Sequence, residues 1–312
     1  VNDLFLTNLI KVFAEPDKNV YTYNILDYKK YSDVFEVYKH ENKELSEHNV
    51  ITYLSSLILK KTNKQRYAFG YHFCVKCAPY FKDNIELFKE IYLAQKDIDT
   101  NFDHDGKELE EVLKLDSNLF IQIIEKKVSE HRTRYYMLRD LRLDYVWTLP
   151  DYEEIIEKSM NLVIKKESVF SNMEHTAVGL FTFRTPSLEL KEKAITLLSK
   201  YLEKNSFDKQ SVLTVLNIVM HKFDKDFVLF LRKLLLLNND FELFKRIHLS
   251  KGGMISTGRV PSIQLSIDLY TDIITMINEL PDTLSYTEHI DYLEKSIVWS
   301  KKEIEQEQKR EF

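Results

Sequence analysis

Between Phe207 and Leu249 lies the most apolar stretch of the chain, and its spacing leaves little freedom of fold. Val212, Leu216, Val219, Met220 and Phe223 recur at three- and four-residue steps, so they form one stripe on a helix. Beyond Asp224, Phe227, Phe230, Leu231, Leu234 and Leu235 share one face of a second helix, while Val228, Leu229, Leu236 and Leu237 fall elsewhere around it. A helix apolar on most sides has to be enclosed, so the pair is expected at the centre of a helical array, with its core fully buried. A third segment, Glu242–Leu249, reads ELFKRIHL and echoes ELFKEIYL at Glu86–Leu93. The echo predicts two helices in equivalent positions. Leu87, Phe88 and Ile91 would be buried as Leu243, Phe244 and Ile247 are, with Glu86 and Lys89 exposed like Glu242 and Lys245.

The remaining chain repeats the helical pattern. Helices are expected at Val1–Glu15, Glu44–Lys61, Lys64–Phe81, Asn84–Asp97, Lys107–Leu115 and Ser117–Glu130. The tyrosine-rich Asn19–Lys39 has no clean period and could hold a short strand or two. Asp151 with Glu154, and Ser285 with Glu288, have capping-box spacing and would open two later helices. Thr185–Pro186 reads as an N-cap followed by a first-turn proline. Another helix is expected from Ser262 to about Glu279, before Pro281. Short connectors between many ordinary helices predict an all-α fold of irregular stacked hairpins, an α-solenoid resembling HEAT-like arrays. The array would cover residues 1–312, and the echo points to two related halves meeting softly near 145–150.

Glycine is scarce, with six residues in 312, which argues against phosphate-cradling loops and long all-β architecture. A net charge of -5 with 30% charged residues does not suit a general nucleic-acid or membrane-surface binder. The two cysteines provide no disulfide framework, which fits a reducing cytoplasm, and no apolar run is long enough to span a membrane. The chain begins at Val1, so it is expected to be part of a longer protein.

Motifs that could carry chemistry are weak. His72, Cys74 and Cys77 offer three zinc ligands, but no second ligand pair follows, and buried helix cysteines explain them better. Asn101, Asp103, Asp105 and Gly106 imitate the start of a calcium loop. Position twelve is Val112, where a bidentate Glu is required, so an Asp-Gly turn is preferred. HExxH, GxSxG, GxxxxGK[ST] and GxGxxG are all absent, and the loop containing Gly252, Gly253 and Gly258 reads as a flexible connector. No catalytic residue, cofactor site or metal site is therefore assigned. The remaining patch is Arg132, Arg134, Arg139 and Arg142, interleaved with Tyr135, Tyr136, Tyr145 and Trp147. Glu125–Leu143 carries six basic residues against three acidic ones, enough to orient an anionic partner. Arg132, Arg139 and Arg142 share a helical face and are the candidate partner-binding residues. A solvated face of ion-paired arginines is the plainer reading of the same pattern.

The ELFKEIYL and ELFKRIHL segments, the Gly252–Pro261 loop, the run His289–Glu294 and the ending Lys309–Phe312 carry a resemblance. Together they resemble the helical C-terminal region of large bacterial P-loop ATP-binding proteins of the STAND-like kind, some linked to phage defence. That resemblance implies an NTPase domain ahead of Val1, with this chain as its sensor or oligomerisation region. It transfers no catalytic residue, because no nucleotide-binding motif is present. The expected function is a non-catalytic interaction or regulatory module of a larger cytoplasmic bacterial protein, acting through a protein partner or self-association. The alternatives are a nucleic-acid-binding module using residues 132–147 and an enzyme with an unrecognised site.

Overall fold

The computed structural model describes residues 82, 85–98, 106–129, 144–167, 174–183, 186–249 and 259–310. Every regular element among them is helical and no strand occurs there, as the periodicity predicts for an all-α chain. The expected helices before residue 82 and the tyrosine-rich segment lie outside the described residues. Described residues up to Ile155 form one compact unit and those from Ile156 onward a second.

The first unit contains α1 (Ile85–Ile98), α2 (Lys107–Leu115), α3 (Leu119–Ser129) and a 3-10 turn at Val146–Thr148. Gly106 precedes α2 with φ 76°, a left-handed conformation that glycine adopts without a Cβ penalty. Leu109, Val112 and Leu113 on α2 are buried at one helical face, while Lys114 pairs outside with Glu110 and Glu111. Phe88, Phe120, Ile124 and Trp147 complete a core closed to solvent.

Lys89 departs from its predicted exposure. Only 5% of its side chain is accessible, and Nζ donates to Asp116 and Glu86, each at 2.7 Å. Burial alone would lower its pKa, but the hydrogen bonds that it donates to the Asp116 and Glu86 carboxylates outweigh that and raise it. At Asp116 burial pulls upward, and the Lys89 ammonium and the Asn118 N–H reverse it, leaving the carboxyl below its usual value. The Asp116 contribution is therefore present above the ordinary carboxylate pKa and lost as pH falls through the lowered one. Replacing Asp116 with Asn leaves Lys89 facing one exposed carboxylate. Thermal or urea unfolding is expected to show a loss of about 1–3 kcal/mol at pH 7, and the gap from wild type should close in acid.

The second unit holds most of α4 (Tyr152–Glu167), then α5 (Glu174–Gly179), α6 (Leu188–Lys204), α7 (Lys209–Lys222), α8 (Phe227–Leu237), α9 (Phe241–Phe244), α10 (Arg259–Asn278) and α11 (Thr287–Arg310). Its centre is α7, where Ser211, Val212, Thr214, Val215, Leu216, Ile218, Val219 and Met220 are all buried, with α5, α6 and α8 packed around it. Asp208 caps α7 by accepting from the Ser211 N–H at 2.9 Å, and Asp240 caps α9 through the Glu242 and Leu243 N–H groups. Tyr201 donates to Asn161 Oδ1 at 2.6 Å, tying α6 to α4.

Three local expectations need correction. The cap of α6 is Ser187, whose Oγ accepts from the Leu190 N–H at 3.1 Å, so Pro186 precedes the helix and does not occupy its first turn. Ser285 opens no capping box. Asp282, at φ 58°, starts a 3-10 turn, and the Ser285 hydroxyl donates to the Asp282 carbonyl, leaving Thr287 to begin α11. The echo also fails as a structural equivalence. Glu86–Leu93 lies wholly within the fourteen-residue α1, whereas only Glu242–Phe244 of its counterpart is helical. Lys89 is buried and doubly paired, whereas Lys245 is exposed and bound to Glu242. The helix-capping Asp240 and the turn after Phe244 set the second copy's conformation, and the first has the long α-helix.

The stripes read from the sequence are buried on both α7 and α8, and Leu234 is 2% exposed. Leu234→Ala is expected to cost about 2–5 kcal/mol in a urea titration, as comparable core truncations do. Leu229→Ser, on the opposite face of α8, should stay within about 0.5 kcal/mol of wild type in the same measurement.

Candidate interaction surface

The basic ridge foreseen at Arg132, Arg139 and Arg142 lies outside the described residues, as do His72, Cys74, Cys77, Asn101, Asp103, Asp105 and the Gly252–Gly258 loop. The described end of the Arg/Tyr stretch does not present aromatics for stacking. Trp147 has no accessible surface and packs against Tyr152 at a ring separation of 5.6 Å. Tyr145 is half-buried, with Lys114 Nζ 5.8 Å from its ring centre. No group of three or more metal-ligating side chains occurs among the described residues.

What the structure does place in solvent is one face of α8. Polar contacts at three points fix the other side of this helix along α6. Lys191 pairs with Asp226 at 3.3 Å, Lys233 binds Ser199 and Glu203, and Asn238 Nδ2 donates to the Ser206 carbonyl at 2.8 Å. These contacts rise together along both helices, so α6 and α8 run side by side in the same direction. From the end of the chain, Tyr286 donates its hydroxyl to the Leu235 carbonyl at 3.1 Å. With Phe227, Phe230, Leu231, Leu234 and Leu235 buried, rotation of α8 is settled.

That rotation leaves Leu229 65%, Leu236 48% and Leu237 40% exposed. Leu229, Arg232 and Leu236 follow one another at three- and four-residue steps, so they form a single stripe. Arg232 is exposed and makes no ion pair among the described residues. The expectation that α8 would be enclosed on most sides is therefore corrected: α7 is the enclosed helix and α8 is covered on one side. Hydropathy could not separate them, because an outward leucine has the same residue identity whether its own chain or another covers it.

A second feature lies at α9–α11. Helices α10 and α11 form an antiparallel hairpin, closed at its open end by Arg259, which pairs with Glu303 at 2.6 Å and Glu307 at 3.0 Å. On the outer side of α11, Val298 and Trp299 are exposed. On its inner side His289 is 2% exposed, and neither ring nitrogen has a hydrogen-bond partner among the described residues. Phe244, Phe241 and Tyr286 meet it edge-on, with ring centres 4.7, 5.2 and 5.7 Å away. Burial lowers its pKa to about 4, against a smaller upward pull from Asp240. No local motif marks this histidine, since its aromatic neighbours come from segments more than forty residues apart.

No protein-family model, curated protein or solved structure matches this chain.

Proposed function

We propose that this chain is a non-catalytic α-helical interaction module whose second unit binds a protein partner along the outer stripe of α8. The observation that carries the reading is the uncovered Leu229, Leu236 and Leu237 on a helix otherwise fixed by buried contacts and polar ties to α6 and the Tyr286 hydroxyl. Covering a leucine removes apolar surface worth about 1.5–3 kcal/mol when complete, so three adjacent ones offer an anchoring cluster. Arg232 stands among them without an ion pair among the described residues, which suits a partner carrying a carboxylate beside its apolar side chains. An amphipathic acidic helix laid along α8 has that chemistry.

Trp147, one of the aromatics on which the nucleic-acid alternative draws, is buried and offers no stacking face. No helix among the described residues is long and apolar enough to cross a membrane. In the larger setting suggested by the STAND-like resemblance, such a surface would serve as the sensor or oligomerisation face of an NTPase.

Placing a photo-crosslinking residue at position 229 or 236 in the full chain would identify what covers the stripe. The identified partner, once purified, should bind the wild-type chain and lose at least tenfold in affinity to Arg232→Glu and to Leu236→Asp. Both variants should keep the wild-type melting temperature, because neither side chain is in the core. Crosslinks confined to the same polypeptide would show instead that the stripe is an intramolecular seat, and the docking reading would be lost.

A further inference from the structure

Resting on that reading of α8, we infer that His289 is an acid-operated latch that holds the Asp240–Leu249 segment closed and thereby regulates the end of the docking stripe. The segment begins directly beyond the stripe. Only Asn238, Asn239 and Asp240 separate Leu237 from α9, and Asn238 Oδ1 accepts the Asp240 N–H at 3.0 Å. Its helix is a single turn of four residues, too short to persist without tertiary support. That support is aromatic. Phe241 and Phe244 meet His289 in T-shaped ring contacts, and both also meet Tyr292 at ring separations of 6.1 and 6.2 Å.

A neutral imidazole fits this enclosure as an aromatic disc. An imidazolium does not, since it brings a full charge and two N–H donors into a place where neither nitrogen is met. The charged and titratable groups of the surrounding elements do little to offset that. At the cap of α9, Asp240 acts on the ring; its Oδ1 accepts the Glu242 and Leu243 N–H groups, and its Oδ2 pairs with Lys209 at 3.8 Å. Glu242 and Lys245 are paired with each other at 2.6 Å, and Arg246 and His248 of the same segment are exposed to solvent. The Tyr286 hydroxyl donates to the Leu235 carbonyl. On α10, Asp268 and Asp272 are exposed and Tyr270 is half-buried. On α11 itself, Glu288 and Asp291 are exposed, and Tyr292 stands at the edges of Phe241 and Phe244.

The direction of the switch follows from the two protonation states. The pKa of His289 is about 4 in the closed form and 6.5 once the ring reaches water. Closure is therefore undiminished above about pH 6.5 and weakens as pH falls toward 4. Between pH 7 and pH 5 the open-to-closed ratio is expected to rise about 20-fold. Opening would free Phe241 and Phe244 next to Leu236 and Leu237, changing the surface presented to a partner.

Hydrogen exchange on the full chain tests the latch without a partner, so its outcome is separate from that of the docking reading. Peptides spanning Phe241–Ile247 are compared at matched pH with His289→Phe, which keeps a flat ring and removes the titration. After correction for intrinsic exchange, the wild-type segment should lose protection about 20-fold from pH 7 to pH 5, while Val212–Val219 does not. The variant should show no such loss. An NMR titration of the wild-type imidazole supplies the second measurement if His289→Phe fails to fold, and should give a midpoint near 4. A midpoint at 6 or above would overturn the latch, as would acid opening that persists in the variant or protection that is unchanged in wild type.

Discussion

The second unit depends on the enclosure of α7. Eight of its fourteen residues are buried, so three other helices have to surround it, and the positions of α5, α6 and α8 follow from that demand. Two small polar side chains, Ser211 and Thr214, are buried on α7 and let neighbours approach where a longer side chain would hold them apart. The Tyr201 hydroxyl lies 3.4 Å from Ser211 Oγ, so this close approach also has polar contact. Once α6 and α8 lie against α7, ion pairs and hydrogen bonds between them fix the rotation of α8. The burial of its inner face and the exposure of Leu229 and Leu236 are then two consequences of one packing arrangement.

The periodicity of apolar residues was enough to place most helices among the described residues, because that pattern is set by burial on one face. Lys107–Leu115 appears with the bounds expected, and α7 and α8 bury the stripes read from their spacing. Ends were less legible. Thr185–Pro186 and Ser285–Glu288 have the composition of helix starts, yet Ser187 and Thr287 begin those helices. Several hydroxyl residues stand near each start, and the one that caps is chosen by the incoming path of the chain. The ELFK echo misled for a related reason. Local sequence is the same in both places, but one copy continues in a long helix and the other turns away after Phe244.

The surface was less legible still. Sequence directed attention to the clustered arginines between 132 and 142, because charge runs are conspicuous in one dimension. The α8 stripe is hidden there inside an apolar run. Leu234 and Leu236 are two residues apart in the same leucine tract, and only the helix's contacts with α6, α7 and α10 put one in the core and the other in water. The same holds for Trp147 and Trp299. One is completely buried and the other is 66% exposed, with nothing in either residue type to decide it.

His289 separates a structural from a regulatory reading of its aromatic surroundings. A phenylalanine in that place would make the same edge contacts with Phe241, Phe244 and Tyr286 and leave no polar atom behind. An imidazole with both nitrogens unmet costs on the order of 1–3 kcal/mol of lost hydration even when neutral. For packing alone, histidine is thus the poorer occupant. What it adds is a proton site whose charged form the enclosure rejects, at the junction between a one-turn helix and the long hairpin. The penalty for the neutral ring brings this segment nearer to opening at every pH, and protonation provides the rest. A latch with that composition needs no distant coupling path, because the titrating ring itself touches both phenylalanines of the segment that it holds.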